Sequence, residues 1–466
     1  MLYLDEKVKF IIWKIREHFY NDGIYLIGGF VRDLFLGRKN NDLDFIIYPF
    51  DFIKLQEFSK VINGKIFFLD EERKYIRINV GIDDEEYSLD FTPPIENNLI
   101  KEIIRRDFTI NTITIFLDNF KIIDPLRGIK DLLEGNINVC TSKSLIEDPL
   151  RILRAFRFSS NLGFKINHQT QKEISKNAIY LNKVKGERIH NEIYKILKGP
   201  FTSYIWLKMH ELKVLKVILP ELSNLENIPW SPPHSTNPLI HTFSSLGILE
   251  FLYYYLDEIF EEYSDKIREH LNEKVYDEFT RRELIKIAVL LHDIGKEKYF
   301  IDEKNKVHYY GHENLGSLMI ENIAERWRLS GKEKDLLKKL VKYHLYPAFI
   351  FRDNGEKLKI VNKMKEDTIS LILLFLADHL SIHKNIEVLD FAKSVIRIYL
   401  EKKDLKPILS GNEIMEIFNL KPSPLIGYLK DKLLMAQQKG IVKSKEEAID
   451  YLEKIMKDES FREKDN

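Results

Sequence analysis

The sequence predicts an α+β protein in which a small mixed-sheet head precedes an almost wholly helical body. Three observations carry that expectation. Up to about residue 135 strand-like and helix-like hydrophobic periods alternate, whereas from about residue 145 onward apolar residues fall at helical spacing, with caps and Lys-rich faces. Between two helical stretches, Asn227 to Leu239 reads NIPWSPPHSTNPL, whose four prolines make it the best linker candidate.

Within the head the pattern predicts a helix near Asp5 to Phe19, a strand at Ile24 to Ile27, a helix from Gly29 to Leu36 and a strand at Asp42 to Ile47. Further strands are expected at Lys65 to Leu69, Tyr75 to Val80, Tyr87 to Thr92 and Thr112 to Phe116. In the helical body, Pro407 and the Ser410-Gly411 pair interrupt the pattern near Lys402 to Gly411.

At 466 residues the chain has room for several domains, each with its own core. With 44% hydrophobic and 31% charged residues it reads as well folded and water-facing. Its one cysteine, Cys140, excludes an internal disulfide framework and predicts a reducing cytoplasm. The opening MLYLDEKVKF is acidic where a signal peptide is basic, and the most apolar run, Ile369 to Ala377, is too short to span a bilayer, so no membrane is expected. Basic and acidic residues balance at 72 each, so a surface for nucleic acid has to be local.

The chemistry begins in LIGGFVRDLFLGRKNNDLD, residues 26–44. An apolar strand delivers Gly28 and Gly29 to a tight turn at a helix start, where unpaired N–H groups can approach a triphosphate. Alternation along the next strand puts Asp42 and Asp44 on one face, with Leu43 and Phe45 on the other. Paired carboxylates are costly without a cation between them, and two-metal phosphoryl transfer supplies the reason for having them. Asp90, with Ser88 on the face opposite Tyr87, Leu89 and Phe91, is a candidate third carboxylate or an ordinary strand acid.

This signature of GG, Arg32-Asp33 and DxD resembles that of the class II tRNA nucleotidyltransferase and bacterial poly(A) polymerase family. Four more motifs follow in that family's order: RRDFTIN at 105–111, Asp124-Pro125 with Gly128 and Asp131-Leu132, EDPLR at 147–151, and Glu187-Arg188-Ile189 with Glu192. The resemblance implies Mg²⁺ held by Asp42 and Asp44 as the catalytic pair. It also implies a triphosphate faced by Gly28, Gly29 and Arg32, and a ribose positioned by Asp107 and Asn111. Three residues apart, Asp148 and Arg151 are expected on one helical face, where an acceptor and a donor can mimic the edge of a base and read a nucleotide without a template. In the family that job selects CTP and ATP over GTP and UTP. Arg151, Arg154 and Arg157 form a basic stripe suited to triphosphate or RNA phosphates, or to a solvated face. The segment between the Asp90 strand and Arg105 is shorter than in many full CCA-adding members, which keeps addition of CC only, or of A only, open.

A second constellation comprises His241, His292-Asp293 in VLLHDIGK, His312, His344 and Asp378 in FLADHL. Imidazoles and carboxylates on apolar helices suggest a metal, because buried charge needs compensation. The set resembles the HD phosphohydrolase superfamily. That resemblance implies a core quartet of His241, His292, Asp293 and Asp378, with His312 and His344 matching the extra ligands of two-metal members. Such mixed ligation suits Mn, Ni, Fe, Co or Mg better than a structural zinc. The domain would be a phosphohydrolase or, if degenerate, an RNA-binding body. Residues 408–452 resemble the tail behind HD domains in this family.

The expected organisation is therefore a nucleotidyltransferase head over residues 1–140 and a helical neck with a nucleotide-specificity helix over 141–228. An HD metal-binding domain over 229–400 and a helical tail for tRNA contact over 401–460 follow. The implied activity is transfer of C and A from CTP and ATP to the tRNA 3′ end. Rivals are a poly(A) polymerase or partial adder and, from another class, a metal-dependent phosphohydrolase.

Overall fold

Asp5 accepts a hydrogen bond from Lys7 N–H at the head of α1 (Glu6–His18), whose Val8, Ile11, Ile12 and Ile15 are buried. The computed structural model describes residues 4–383, 385–404, 407–438 and 441–457. Within the expected tail, residues 405, 406, 439, 440 and 458–460 lie outside the described residues.

The chain forms two compact units. The first comprises Met1–Tyr254, Leu271–Lys342 and Ala377–His383, and the second Tyr255–His270, Tyr343–Leu376 and Lys384–Asn466. In the first, β1 (Gly23–Ile27), α2 (Gly29–Phe35), β2 (Asp42–Tyr48) and α3 (Phe52–Val61) follow α1. Next come β3 (Lys65–Asp70), β4 (Tyr75–Ile82), β5 (Glu85–Thr92), α4 (Leu99–Ile104), β6 (Thr114–Phe116) and β7 (Lys121–Ile123). Every strand and helix expected in the head is present within two residues of its expected ends. β7 was not expected, since three mostly exposed residues carry no readable period.

The sheet order is β3-β4-β5-β2-β1-β6-β7. β2 and β5 run parallel, and their neighbours pair antiparallel, giving a mixed sheet. Phe45 and Phe91 are buried register partners whose rings stack 5.0 Å apart, so the parallel pair is locked on its core face. A one-residue slip would move that pair to the other face and the acids into the core, which fixes the register of the site.

α5 (Gly128–Glu134), α6 (Ser144–Glu147) and α7 (Arg151–Leu162) carry the chain into the neck. Asp148 is extended, with φ −137° and ψ 95°, so the EDPLR motif does not lie on one helix as expected. Pro149 is the physical reason: the residue before a proline is pushed out of the helical region, and the helix restarts beyond it. The neck continues through His168–Asn177, Gly186–Leu197 and Ser203–Glu211. A Cβ on Gly186 would stand 1.8 Å from the Arg326 carbonyl oxygen, so only glycine admits that backbone approach. Between Asn227 and Pro238 there is no regular element, in keeping with the proline-rich break.

The second unit is helical. Ser410 and Glu413 form a reciprocal cap on Gly411–Ile417, and this helix, Pro424–Gln438 and Lys445–Lys457 enclose Leu409, Ile414, Leu429, Leu433, Ala448 and Leu452. Among the described residues no helix is long and apolar enough to cross a membrane.

Candidate active site

β1 ends in Gly28, whose φ of 90° and ψ of −146° suit glycine alone. A Cβ there would stand 2.2 Å from Asp44 Oδ2 and 2.8 Å from Arg106 Nη1. The turn therefore faces the Asp44 carboxylate, as the two-metal reading requires. Asp42 is exposed at the start of β2, and Asp44 is half-buried two residues on.

Across the parallel pair Asp44 lies in register with Asp90, and Asp42 with Ser88. Burial pushes the Asp44 carboxyl up, and the charges of Asp90 and Asp42 add to that, against the opposing charge of Arg106 with Nη1 at 3.8 Å. Within this cluster Asp44 keeps an open carboxylate, since its cation Arg106 approaches only to 3.8 Å. An oxygen donor set of this kind fits a hard divalent cation such as Mg²⁺.

A cavity of about 440 Å³ opens over this edge of the sheet, with Asp44, Asp107, Asp148, Arg151 and Arg154 in its wall. Asp107 is buried and donates nothing; it accepts from Asn111 Nδ2 at 2.9 Å, from its neighbour Phe108 N–H at 2.8 Å and from Arg154 Nε at 2.8 Å. Burial alone would raise its carboxyl, but the Arg154 charge and these hydrogen bonds outweigh it and hold it at about 2. Arg151 donates to Ser144 Oγ at 2.8 Å, and Asp148 Oδ1 accepts from Leu150 N–H at 3.2 Å. Asp148 and Arg151 thus flank the start of α7, and both still line one cleft.

Two residues sit elsewhere than expected. Arg32 is buried and turned inward, donating from Nε and Nη2 to Asp33 at 2.8 Å and from Nη1 to Asn111 at 2.9 Å. Its guanidinium is held by these partners beside the glycine turn, with Nη2 3.8 Å from where a Cβ on Gly29 would stand. Arg157 pairs with Glu192 of Gly186–Leu197 at 3.1 Å. The arginine stripe is therefore divided among Ser144, Asp107 and Glu192. A residue overlooked in the sequence is Arg106, which stands beside both the Gly28 turn and Asp44; the doubled arginine of RRDFTIN was its signal.

In the first unit a second site gathers His241, His292 and Asp378, whose ligand atoms all lie within 4.8 Å of one another. His241 Nε2 is 3.0 Å from Asp378 Oδ1, His292 Nε2 is 3.2 Å from Asp293 Oδ2, and His312 Nε2 is 3.4 Å from Asp293 Oδ1. Each outer nitrogen is anchored: His292 Nδ1 to the Val289 carbonyl at 2.7 Å, His312 Nδ1 to the Tyr309 carbonyl at 2.8 Å, and His241 Nδ1 to Ser381 Oγ at 3.1 Å. Every inner Nε2 thereby turns to the carboxylates, the arrangement that suits ligands. Burial pushes His292 down, but Asp293 and Asp378 overcome it and raise it to about 10. The donor set fits a divalent metal. His344 belongs to the second unit and is buried. His234, not singled out in the sequence, packs edge-on against His241 with ring centroids 4.9 Å apart.

Comparison with known proteins agrees with this geometry. The family model described as the poly A polymerase head domain matches residues 24–138, and that of the probable RNA and SrmB binding site of polymerase A matches 163–225. The HD domain matches 254–382, a span that starts beyond His241. Residues 24–138 match the poly A polymerase head family, and nearly the whole chain is similar to tRNA nucleotidyltransferases. Over 453 residues it is 28% identical to an A-adding tRNA nucleotidyltransferase of Deinococcus radiodurans, covering 93% of this chain and 95% of that one. It is also 26% identical to a CC-adding tRNA nucleotidyltransferase of Thermus thermophilus, covering 91% and 92%. In fold it is similar to the Thermotoga maritima CCA-adding enzyme complexed with tRNA, with a TM-score of 0.68, 21% identity and 97% of each chain covered. The matched head and HD families imply use of divalent metal, and His241, His292 and Asp378 form a candidate metal-binding group.

Proposed function

We propose that this protein is a template-independent tRNA 3′-terminal nucleotidyltransferase of the cytoplasm, adding C, A or both from CTP and ATP and releasing pyrophosphate. The observation that supports it best is the Asp44 carboxylate facing the Gly28 turn at one end of a cleft whose other wall holds Asp148 and Arg151. Relatives along almost the whole chain are A-adding and CC-adding enzymes, and similar folds are recorded with tRNA, ATP and CTP.

Asp42 and Asp44 would hold Mg²⁺, which when bound activates the attacking hydroxyl and neutralises the leaving pyrophosphate. Gly28 and Gly29 leave room for the triphosphate, and Arg106 faces its negative charge. Asp107, fixed by Asn111 and Arg154, receives the ribose. Asp148 and Arg151 present an acceptor and a donor to the base edge. The functional divisions are the head (1–140), neck (141–228), HD domain (229–400) and tail (401–460), and the matched family regions fall inside the first three.

Primers of tRNA lacking CCA, tRNA lacking only A, and an unrelated RNA, each given a single labelled nucleotide, test the reading. Addition restricted to tRNA ends supports it. Long A tails on any RNA point to a poly(A) polymerase instead, and no extension of any primer overturns it.

A second activity rests on the histidine–carboxylate cluster of the first unit: His241, His292, Asp293, His312 and Asp378 would hold Mn, Ni, Fe, Co or Mg ions and direct water at a phosphoester. Metal-stimulated release of phosphate that survives Asp44→Ala supports it.

A further inference from the structure

β2, β5 and β4 set Asp44, Asp90 and Arg77 in one row across the sheet. Arg77 donates from Nε to Asp90 Oδ1 at 2.7 Å and from Nη2 to Oδ2 at 2.8 Å. The Tyr75 hydroxyl adds a third hydrogen bond to Oδ2 at 3.2 Å. Asp90's side chain is 7% exposed, so this fork grips a carboxylate that water scarcely reaches. A carboxylate offers about four acceptor sites, and three are taken. Asp44 next to it meets its cation only at 3.8 Å, through Arg106, and stays open to the cleft. Neighbouring acids on one sheet face thus have opposite standing: one is neutralised and fixed, the other is left available.

We propose that Arg77 is a positioning residue for nucleotidyl transfer, which by clamping Asp90 keeps this third carboxylate out of the inner ligand set and balances its charge beside Asp44. The inference rests on the transfer reading above. Without Arg77, Asp90 becomes a loose anion in the cleft that repels the triphosphate and competes for cations. Without Asp90, Arg77 becomes an unbalanced cation. Removing both restores the balance.

The test is a double-mutant cycle in the full-length protein with two readouts: kcat for transfer to tRNA in Mg²⁺, and Kd for CTP in EDTA, where no metal takes part. Wild-type protein that extends no primer sinks the transfer reading itself. With an active wild type, Arg77→Met is expected to bind metal-free CTP about fivefold more weakly and Asp90→Asn about fivefold more tightly, with the double variant close to wild type. In kcat, Arg77→Met is expected to lose about 100-fold and the double variant about tenfold or less, the recovery being the mark of charge balance. If Arg77→Met melts early, Arg77→Lys serves: it keeps the charge but not the fork, and is expected to hold the metal-free Kd within about twofold while kcat falls about tenfold. The inference is overturned if Asp90→Asn and the double variant lose transfer as fully as Asp44→Ala, which would make Asp90 a metal ligand. It is equally overturned if Arg77→Met matches wild type in both readouts, or if Arg77→Lys loses Kd and kcat together.

Discussion

Arg154 on α7 grips Asp107 with Nε at 2.8 Å and Nη2 at 2.6 Å, joining positions 47 residues apart in the head and the first long neck helix. The Asp107 carboxyl is held at about 2, below its ordinary 3.8, so the folded protein binds this proton less readily than the unfolded chain. Its contribution to stability is complete above about pH 4 and is lost as pH falls toward about 2. Arg154→Leu should lower stability at neutral pH by roughly 1–2 kcal/mol, the modest value reflecting the partial exposure of Arg154, and shift acid unfolding to higher pH. Far-ultraviolet circular dichroism against pH checks both; an unchanged acid limb would mean that Arg154 does not hold the carboxyl.

Gly28→Ala should be far worse than Gly29→Ala. At Gly28 a Cβ meets Asp44 Oδ2 at 2.2 Å with φ at 90°, whereas at Gly29 the nearest atom is 3.6 Å away. The expected cost of the first is about 1–3 kcal/mol of stability and about 100-fold in kcat. Melting curves and primer extension on both variants would show it, and equal behaviour would refute the close approach.

Asp44→Ala is expected to lower transfer by about a thousandfold or more, while metal-dependent phosphate release stays within about twofold. Asp293→Ala is expected to do the reverse. Assaying both activities on both proteins decides whether the sites are independent, and loss of both in either variant would show that they are not.

Arg151→Ala removes a donor from the cleft without touching Asp107. Discrimination for CTP or ATP against UTP and GTP should fall about tenfold, with kcat for the correct nucleotide less affected. Competition between labelled nucleotides measures this directly.

Most of the head was legible because its elements have clear periods: β2 alternates over Asp42–Phe45, and the residue pattern of β5 sets Ser88 and Asp90 opposite Tyr87, Leu89 and Phe91, although Asp90 itself is buried. Spacing could not show where side chains find partners. Arg32 and Arg157 read as phosphate contacts, yet in the fold each meets a carboxylate supplied by Asp33 or Glu192, the latter from a helix remote in sequence. The helix break at Asp148 was readable from Pro149 but was masked by the motif's regular three-residue step. Arg77 carried no signal at all, since an arginine at an alternating strand position is indistinguishable from a solvated one until β4 is placed beside β5.

The string Asp33, Arg32, Asn111, Asp107, Arg154 runs without interruption from the helix after the glycine turn to α7, and no two anions or cations touch along it. Each member answers to the one before, so replacing Arg32, Asn111 or Asp107 breaks two partnerships at once. Evolutionary drift at these five positions should therefore be concerted, and laboratory selection for restored activity after damage to one should retrieve second-site changes in its immediate partners on the string.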